Sequence, residues 1–342
     1  MSQQFASDNN AGVCPEALEA LLAANAQGHA VGYGDDPWTA RACERLRVLF
    51  ETDCAVFLVF SGTAANALAL AQICRPYHAI IAHAESHVAT DEAGAPGFFG
   101  GGASLLTADT PHAKLTPEAV EALATGGRGV HSVKPAAVSL TQATEMGTLY
   151  SREELVALTE TARRRGLKVH MDGARLANAV AALACAPADL TWRAGVDVLC
   201  FGGVKNGLGA GEAVLIFDKA LAHEFAWRVK QAGQLNSKMR LMAAPWVGLL
   251  ESGAWLKNAW HANAMARRLW EAIAKVPGVE AMAPVESNGV FVRLPKALAE
   301  GLRQKGWRFY SWGDGHRLMC AWDTQPETVD RFAADAAESC KL

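Results

Sequence analysis

Two short apolar segments that each end in a polar turn constrain the fold more than any other feature of this sequence. The first, around Val169 and Met171, leads directly into Asp172. The second, Val198 to Phe201, leads into a glycine-rich turn that holds a single lysine, Lys205. Short apolar runs bounded by turn residues are typical of buried strands. The pattern therefore predicts two strands that bring a carboxylate and an amine to the edge of a sheet.

Strands and helices alternate through the first 240 residues. The apolar runs predict further strands at 55–60, 79–82, 104–107, 136–140 and 212–218. Such alternation is typical of an α/β fold, in which a mostly parallel sheet is covered by helices and functional groups gather at the strand ends. After a long predicted helix over 246–276, broken at Gly253, shorter strands and helices indicate a small α+β unit. We expect an amino-terminal arm and large domain over 1–245 and a small C-terminal domain over 246–342.

Composition excludes several classes of protein. The chain is 51% hydrophobic and has a net charge of −3, which argues against disorder and against nucleic acid as a partner. It has neither a signal sequence nor an apolar run of membrane-spanning length, so we expect a cytoplasmic protein with no membrane partner. Eight cysteines without a C-x-x-C pair predict reduced thiols. His83 and His87 have a spacing that faces one metal on a helix, but no further ligand matches, and we expect no metal.

Asp172 and Lys205 suit the chemistry of one cofactor, pyridoxal 5′-phosphate. This cofactor needs a lysine that holds its aldehyde as a Schiff base and a carboxylate that keeps its ring nitrogen protonated. The alternative is a solvated aspartate and a solvated lysine in two surface turns. A second segment favours the cofactor, because a predicted strand leads through Ser61, Gly62 and Thr63 into a helix. A helix that opens in this way is a phosphate site, although both hydroxyl groups also suit ordinary helix caps.

The segment His170 to Arg175, which reads HMDGAR, and the downstream Lys205 resemble the low-specificity L-threonine aldolases and phenylserine aldolases. These are fold-type-I pyridoxal phosphate enzymes, and the resemblance extends from Ser7 to Asp323. It implies cleavage of the Cα–Cβ bond of L-β-hydroxy-α-amino acids, of the L-threonine, L-allo-threonine or phenylserine type, to glycine and an aldehyde. It also implies a homo-oligomer, a dimer or tetramer, with active sites shared at the interface.

The resemblance assigns further cofactor contacts. It places His87 over the pyridine ring, and it brings Tyr33, Lys230 and Lys238 to the cofactor phosphate, often from a second subunit. From the residues alone, a structural histidine, a packing tyrosine and solvated lysines are the alternatives.

The resemblance also assigns the substrate contacts. Ser7 and Arg317 would bind the substrate carboxylate, and Arg175 would bind that carboxylate or lie near the cofactor ring oxygen. Arg317 is at the start of a predicted strand, and a guanidinium matches a planar carboxylate. From the residues alone, a capping or turn serine and arginines that are each paired to a local acid are the alternatives. Many relatives carry a histidine in the loop where this chain has Glu145. The base is therefore His87, Glu145 or a water that they hold, unless Glu145 is a structural ion-pair partner.

The same residues are also compatible with other functions. Within pyridoxal chemistry, the rivals are a β-eliminating lyase, an amino-acid racemase and an aminotransferase, since the fold does not determine the reaction. From another class, the rival is a nucleotide-binding α/β protein whose phosphate site is Ser61 to Thr63. This last reading lacks a P-loop and a G-x-G-x-x-G motif in the sequence.

Overall fold

The computed structural model describes residues 4–339, in which the strands form two sheets. The larger sheet contains β1 (Ala55–Val59), β2 (His78–His83), β3 (Ser104–Ala108), β4 (Lys134–Thr141), β5 (Lys168–Gly173), β6 (Val198–Phe201) and β7 (Glu212–Ile216). Its order is β1-β7-β6-β5-β4-β2-β3. β7 is antiparallel to β1 and β6, and the other neighbouring pairs are parallel. The prediction of a mostly parallel sheet is confirmed.

Helices cover both faces of this sheet. They are α1 (Pro15–Ala26), α2 (Pro37–Leu49), α3 (Gly62–Ile73), α4 (His87–Thr90), α5 (Ala95–Phe99), α6 (Pro117–Thr125), α7 (Arg152–Arg164), α8 (Leu176–Leu183), α9 (Phe225–Gln231) and α10 (Met239–Glu251). Alternate residues of a strand enter opposite cores. Leu199 and Leu215 pack in one apolar cluster with Trp246, whereas Val198 and Val214 pack in another. Burial on both faces explains why these strands read as continuous apolar runs.

The smaller sheet is antiparallel and follows the larger one in the chain. It contains β8 (Glu280–Ala281), β9 (Gly289–Arg293), β10 (Tyr310–Trp312) and β11 (Gly315–Met319), in the order β10-β11-β9-β8. Its helices are α11 (Ala254–Ile273), α12 (Lys296–Gln304) and α13 (Pro326–Ser339). The small α+β unit is thus confirmed. The predicted strand start at Arg317 is wrong, because this residue lies in the middle of β11, opposite Tyr310 and Phe291.

The helix predicted over 246–276 is two helices with different bounds. The break at Gly253 is confirmed, and this glycine has a φ of 75° between α10 and α11. However, α10 begins earlier than predicted, at Met239. The domain boundary after residue 245 stays a prediction, and that position lies inside α10.

The amino-terminal arm connects the two units. Phe5 packs in the core of the small unit, with its ring centroid 5.8 Å from that of Trp307 and 5.2 Å from that of Phe332. Its backbone N–H donates to the Arg308 carbonyl (2.8 Å), and its carbonyl accepts from the Met319 N–H (2.7 Å). Three residues later, Asp8 lies buried beside the large sheet. The arm therefore holds Ser7 and Asp8 between the two units.

Two other predictions concern the whole chain. The seven cysteines within residues 4–339 are free thiols, as predicted, and Cys340 lies outside the described residues. Across the same residues, none of the helices combines the length and the apolar character needed to span a bilayer.

Candidate active site

A cavity of about 1020 Å³ lies where the parallel strands of the large sheet end and the small sheet approaches them. Its lining includes eight of the residues predicted from the sequence: Ser7, Gly62, His87, Glu145, Asp172, Arg175, Lys205 and Arg317. These residues are spread over more than 300 positions of the chain. The structure therefore brings most of the predicted site together in one place.

Asp172 and Lys205 reach this cavity from adjacent parallel strands. Asp172 lies in β5 opposite Cys200 of β6, and Lys205 is in the short 3-10 turn that follows β6. The Asp172 carboxylate accepts from the Ala174 N–H (2.9 Å, Oδ1) and from the Asn66 side chain (2.8 Å, Oδ2). The two strand ends pack closely, because a Cβ on Gly202 would lie only 2.4 Å from the Ala174 carbonyl oxygen. The glycine is required there for the amine and the carboxylate to share one edge.

A hydrogen-bonded chain links His87 to Asp172. The Nδ1 atom of His87 lies 2.8 Å from Oε1 of Glu92, and the Asn66 amide donates both to this oxygen (2.8 Å) and to Asp172 (2.8 Å). The hydrogen bond to Glu92 raises the pKa of His87, and burial raises the pKa of Glu92. Sequence reasoning missed Glu92 and Asn66. No local pattern marked Glu92, which follows the polar residues Thr90 and Asp91, and the signal for Asn66 was its polarity within the alanine- and leucine-rich α3.

Glu145 is hydrogen-bonded to the backbone of His87 and has a raised pKa. Its Oε1 accepts from the His87 backbone N–H (2.8 Å), and its Oε2 is buried without a hydrogen-bond partner. Burial, reinforced by the negative charge of Asp172, raises the pKa of Glu145 to about 7. A carboxyl group in this range exchanges protons readily near neutral pH.

Arg175 is paired with Asp8 of the arm. Its Nε and Nη2 donate to the two Asp8 oxygens, at 2.7 and 2.9 Å. Burial alone would raise the pKa of Asp8, but the Arg175 charge holds it below the ordinary value. This bidentate pair occupies two donors of the Arg175 guanidinium. The partner of Arg175 is thus an acid 167 residues away.

Arg317 projects into the cavity from the small sheet. Its guanidinium carbon lies 5.2 Å from the Tyr310 ring centroid and 5.5 Å from that of Trp312. Its Nη2 donates to the Ala6 carbonyl (3.1 Å), and its Nε is buried without a partner. Burial and the nearby positive charge of Arg175 lower the pKa of Arg317. An acceptor with negative charge would satisfy both the orphaned donor and the uncompensated charge.

The helix that was predicted to bind phosphate begins at the cavity. Gly62 is the first residue of α3, and the position of a Cβ on it has open space on all sides within 4 Å. The Ser61 hydroxyl caps this helix by accepting from the Ala64 N–H (3.3 Å). Ser61 and Thr63 themselves are not among the residues that line the cavity. The helix amino terminus, with its free N–H groups, is therefore the feature that opens toward the cavity.

Tyr33, Lys230 and Lys238 lie away from this cavity within one chain. Tyr33 is 55% exposed, and the Lys230 ammonium lies 4.8 Å from its ring centroid. Lys238 is the residue before α10. A cofactor role for these three residues requires a second subunit.

A metal on His83 and His87 does not fit the structure. His83 ends β2 and His87 begins α4, so they do not share a helix. The His83 ring instead bonds the backbone of Thr110 and accepts from the Glu85 N–H (3.0 Å). His87, Glu92 and Asp172 do place one ligand-type atom each within 4.8 Å of one another. Because Asn66 and His87 already hydrogen-bond these carboxylates, we assign the group to the chain of hydrogen bonds described above.

Comparisons with known proteins show the family to which the chain belongs. A family model described as beta-eliminating lyase matches residues 4–307. A low specificity L-threonine aldolase from a Pseudomonas species is 55% identical over 336 residues, which are 98% of this chain and 97% of that protein. A solved structure of Leishmania major threonine aldolase has a TM-score of 0.92 at 29% identity, with 98% of this chain and 99% of that chain covered.

A more distant structure shares the fold alone. An aspartate aminotransferase from Thermus thermophilus has a TM-score of 0.75 at 16% identity and covers 99% of this chain and 91% of that chain. The expected fold-type-I architecture is therefore confirmed. The chain belongs to the beta-eliminating lyase family and, within it, to the low specificity L-threonine aldolases.

Proposed function

We propose that this enzyme binds pyridoxal 5′-phosphate on Lys205 and cleaves L-β-hydroxy-α-amino acids to glycine and an aldehyde. The substrates would be L-threonine, L-allo-threonine and phenylserine-type amino acids. One observation carries the proposal: Asp172 near the end of β5 and Lys205 just after the adjacent parallel strand β6 line the same cavity.

The residues present fit this cofactor. Asp172 would pair with the ring nitrogen, and the open amino terminus of α3 at Gly62 would take the phosphate, with Ser61 and Thr63 close by. His87 lies on the other side of the Asn66 and Glu92 bridge, where its imidazole plane would cover the ring. When bound, pyridoxal phosphate accepts the electron pair that is released at the substrate Cα.

The protein's own contribution is orientation and proton transfer. Arg317 would bind the substrate carboxylate, because its buried Nε has no other acceptor, whereas Asp8 already occupies two donors of Arg175. Ser7, beside Asp8, would contribute to the same carboxylate site. A fixed carboxylate orients Cα and thereby selects which of its bonds is broken. Glu145, whose pKa is about 7, would take the proton of the β-hydroxyl group, directly or through a water shared with His87.

The products distinguish this reaction from its rivals. Incubation with L-threonine, L-allo-threonine and L-threo-phenylserine should release glycine and the matching aldehyde in equal amounts. Ammonia and a keto acid would instead indicate a β-eliminating lyase, and an inverted amino acid would indicate a racemase. Transfer of the amino group to an added keto acid would indicate an aminotransferase.

Exchange of Arg317 for lysine tests the carboxylate site. We expect KM for L-threonine to rise about 10- to 100-fold with a smaller change in kcat, because a charge-assisted bidentate contact is worth about 1.5–3 kcal/mol. The matched control is Arg303→Lys, since Arg303 also lies over an aromatic ring of the small unit, 4.8 Å from the Phe309 centroid, but does not line the cavity. Equal kinetic effects of the two substitutions would argue against a carboxylate site at Arg317.

Tyr33, Lys230 and Lys238 support a proposal about assembly. They lie together outside the cavity of their own chain, so we assign them to the cofactor phosphate of a second copy in a homo-oligomer. Sedimentation of the purified protein should then give at least a dimer. A cytoplasmic location is likewise proposed, because the cysteines within residues 4–339 are free thiols, as is usual in a reducing compartment.

A further inference from the structure

Glu212 is a buried acidic residue that the reaction described above does not use. It is the first residue of β7 and is only 6% exposed. Its Oε2 accepts from the backbone N–H of Gly203 at 2.5 Å, and the backbone of Val204 also stabilises its charge. Glu212 does not line the cavity itself. Its carboxylate therefore contacts the turn that carries Lys205 from behind.

Glu212 acts together with other contacts that hold this turn. A Cβ on Gly203 would lie 2.5 Å from the Leu208 side chain and 2.6 Å from that of Trp246, so no larger residue fits there. On the far side of Lys205, the Asn206 side chain donates to the Trp255 carbonyl (2.7 Å). The turn is thus fastened on both sides of the lysine, by Glu212 before it and by Asn206 after it.

The carboxylate of Glu212 also interacts electrostatically with Lys205. Burial raises the pKa of Glu212 to about 7, and the positive charge of Lys205 opposes this rise. The other titratable groups that interact with the Glu212 carboxyl are Asp172 on β5 and Cys200 on β6. Its antiparallel partner on β1, Val59, is apolar. Among these neighbours, Lys205 is the one that supplies a positive charge.

We propose that Glu212 is a positioning residue for Lys205: its carboxylate accepts from the Gly203 N–H and thereby holds the turn that carries the lysine. The importance of Glu212 for catalysis rests on the proposed function of Lys205. The hydrogen bond between Glu212 and the turn involves only the protein's own residues, and it can be tested on protein from which the cofactor has been removed.

The experiment combines two measurements on cofactor-free protein. Hydrogen–deuterium exchange follows the backbone of residues 199–211, and mass spectrometry follows the rate at which an amine-specific reagent labels Lys205 at one fixed pH. The variants are Glu212→Gln, which keeps a hydrogen-bond acceptor but removes the charge, Glu212→Ala, which removes both, and Glu212→Asp. Exposed Lys275 serves as the labelling reference within each sample.

The variants should separate the hydrogen bond of Glu212 from its charge. For Glu212→Gln, whose amide oxygen still accepts from the Gly203 N–H, we expect unchanged exchange and unchanged labelling of Lys205. For Glu212→Ala, we expect exchange at Gly203 and Val204 to be about tenfold faster, as for the loss of a hydrogen bond worth about 1.4 kcal/mol, and the labelling rate of Lys205 to differ from that of the wild type. Glu212→Asp, which has a shorter side chain, should lie between Glu212→Ala and the wild type.

A matched control removes a similar contact elsewhere. The Glu286 carboxylate accepts from the Leu149 N–H at 2.7 Å, so Glu286→Ala should leave both measurements at Lys205 unchanged. Wild-type exchange in Glu212→Ala would overturn the role in holding the turn. Exchange in Glu212→Gln as fast as in Glu212→Ala would overturn the role of the side-chain acceptor. If Glu212→Ala does not fold, wild-type exchange in Glu212→Asp, whose shorter side chain draws the carboxylate back from the Gly203 N–H, would overturn the proposal. Failure of the cofactor to attach at Lys205 would instead contradict the proposed function and leave these results standing.

Discussion

Replacing Lys205 with alanine will remove the covalent cofactor adduct and reduce kcat by about 10⁴-fold or more, the scale of losing a covalent nucleophile. Lys205 is the lysine that lines the cavity beside Asp172 in the part of the chain that the structure describes. The measurement is borohydride reduction of the loaded protein followed by peptide mapping. In the wild type, the pyridoxyl group should be found on the peptide that contains Lys205.

The appropriate controls distinguish chemistry from charge. Lys205→Arg keeps a positive charge but cannot form the adduct, so it should be as inactive as the alanine variant. Lys275→Ala removes an exposed lysine of α11's trailing turn and should keep wild-type activity. A pyridoxyl group on any other peptide, or an adduct that persists in Lys205→Ala, would end the assignment of this lysine.

Replacing Glu145 with glutamine will lower kcat/KM by about 10²- to 10⁴-fold, the usual contribution of a general base. The wild-type rate should rise with pH through about 7, because a base acts only when it is deprotonated and the pKa of Glu145 is about 7. The glutamine variant should lose this dependence. Glu145→His should recover part of the activity, because an ordinary histidine also titrates near neutral pH.

Glu145→Gln should lower activity but raise the free energy of unfolding. An unfolded chain releases the Glu145 proton near pH 4.5, whereas the folded chain holds it until about pH 7. Folded protein therefore binds more protons within this window, and its stability falls as pH rises through it. Above pH 7 the buried Glu145 carboxylate is charged, and burying this charge destabilises the fold by its full amount. Glu145→Gln removes the charge and should stabilise cofactor-free protein by about 1–3 kcal/mol at that pH.

The effects of Glu145→Gln on activity and on stability together decide whether Glu145 is the base or a structural ion-pair partner. A structural ion pair at Glu145 would make the glutamine variant less stable, and its activity would follow the loss of folded protein. Glu160→Gln, on the exposed face of α7, is the control for both measurements and should change neither. Lower stability together with an unchanged pH profile would show that Glu145 is not the base.

The sequence could predict the features that depend on local pattern. Asp172 and Lys205 were recognisable because apolar strands end abruptly beside them, and parallel strands place such ends at one edge. The Gly62 turn could be recognised by the same argument, since a strand leads through it into a helix. Helix bounds followed less well, as in the early start of α10, because Pro245 is typical of a helix start but lies inside this helix, which packs against α1 and α2.

The sequence could not predict contacts between distant segments. Asn66 bridges Glu92 and Asp172, and Glu212 supports the Lys205 turn, only because the sheet order places their elements side by side. Each of these residues is a common polar type with no local motif. The position of Arg317 within β11 was missed for a similar reason, since the pairing with β9 and β10 determines where the strand begins.

The amino-terminal arm limits how far the two units can move apart. Phe5 is hydrogen-bonded on both sides to the small unit, and Asp8 is paired to Arg175 of the large one. Only two residues separate them, too short a span to absorb an opening of several ångströms. A hinge motion that admits substrate must therefore carry the arm along or break the Asp8–Arg175 pair. Because Arg317 also donates to the Ala6 carbonyl of the arm, a movement of the small unit is transmitted through the arm to Arg175.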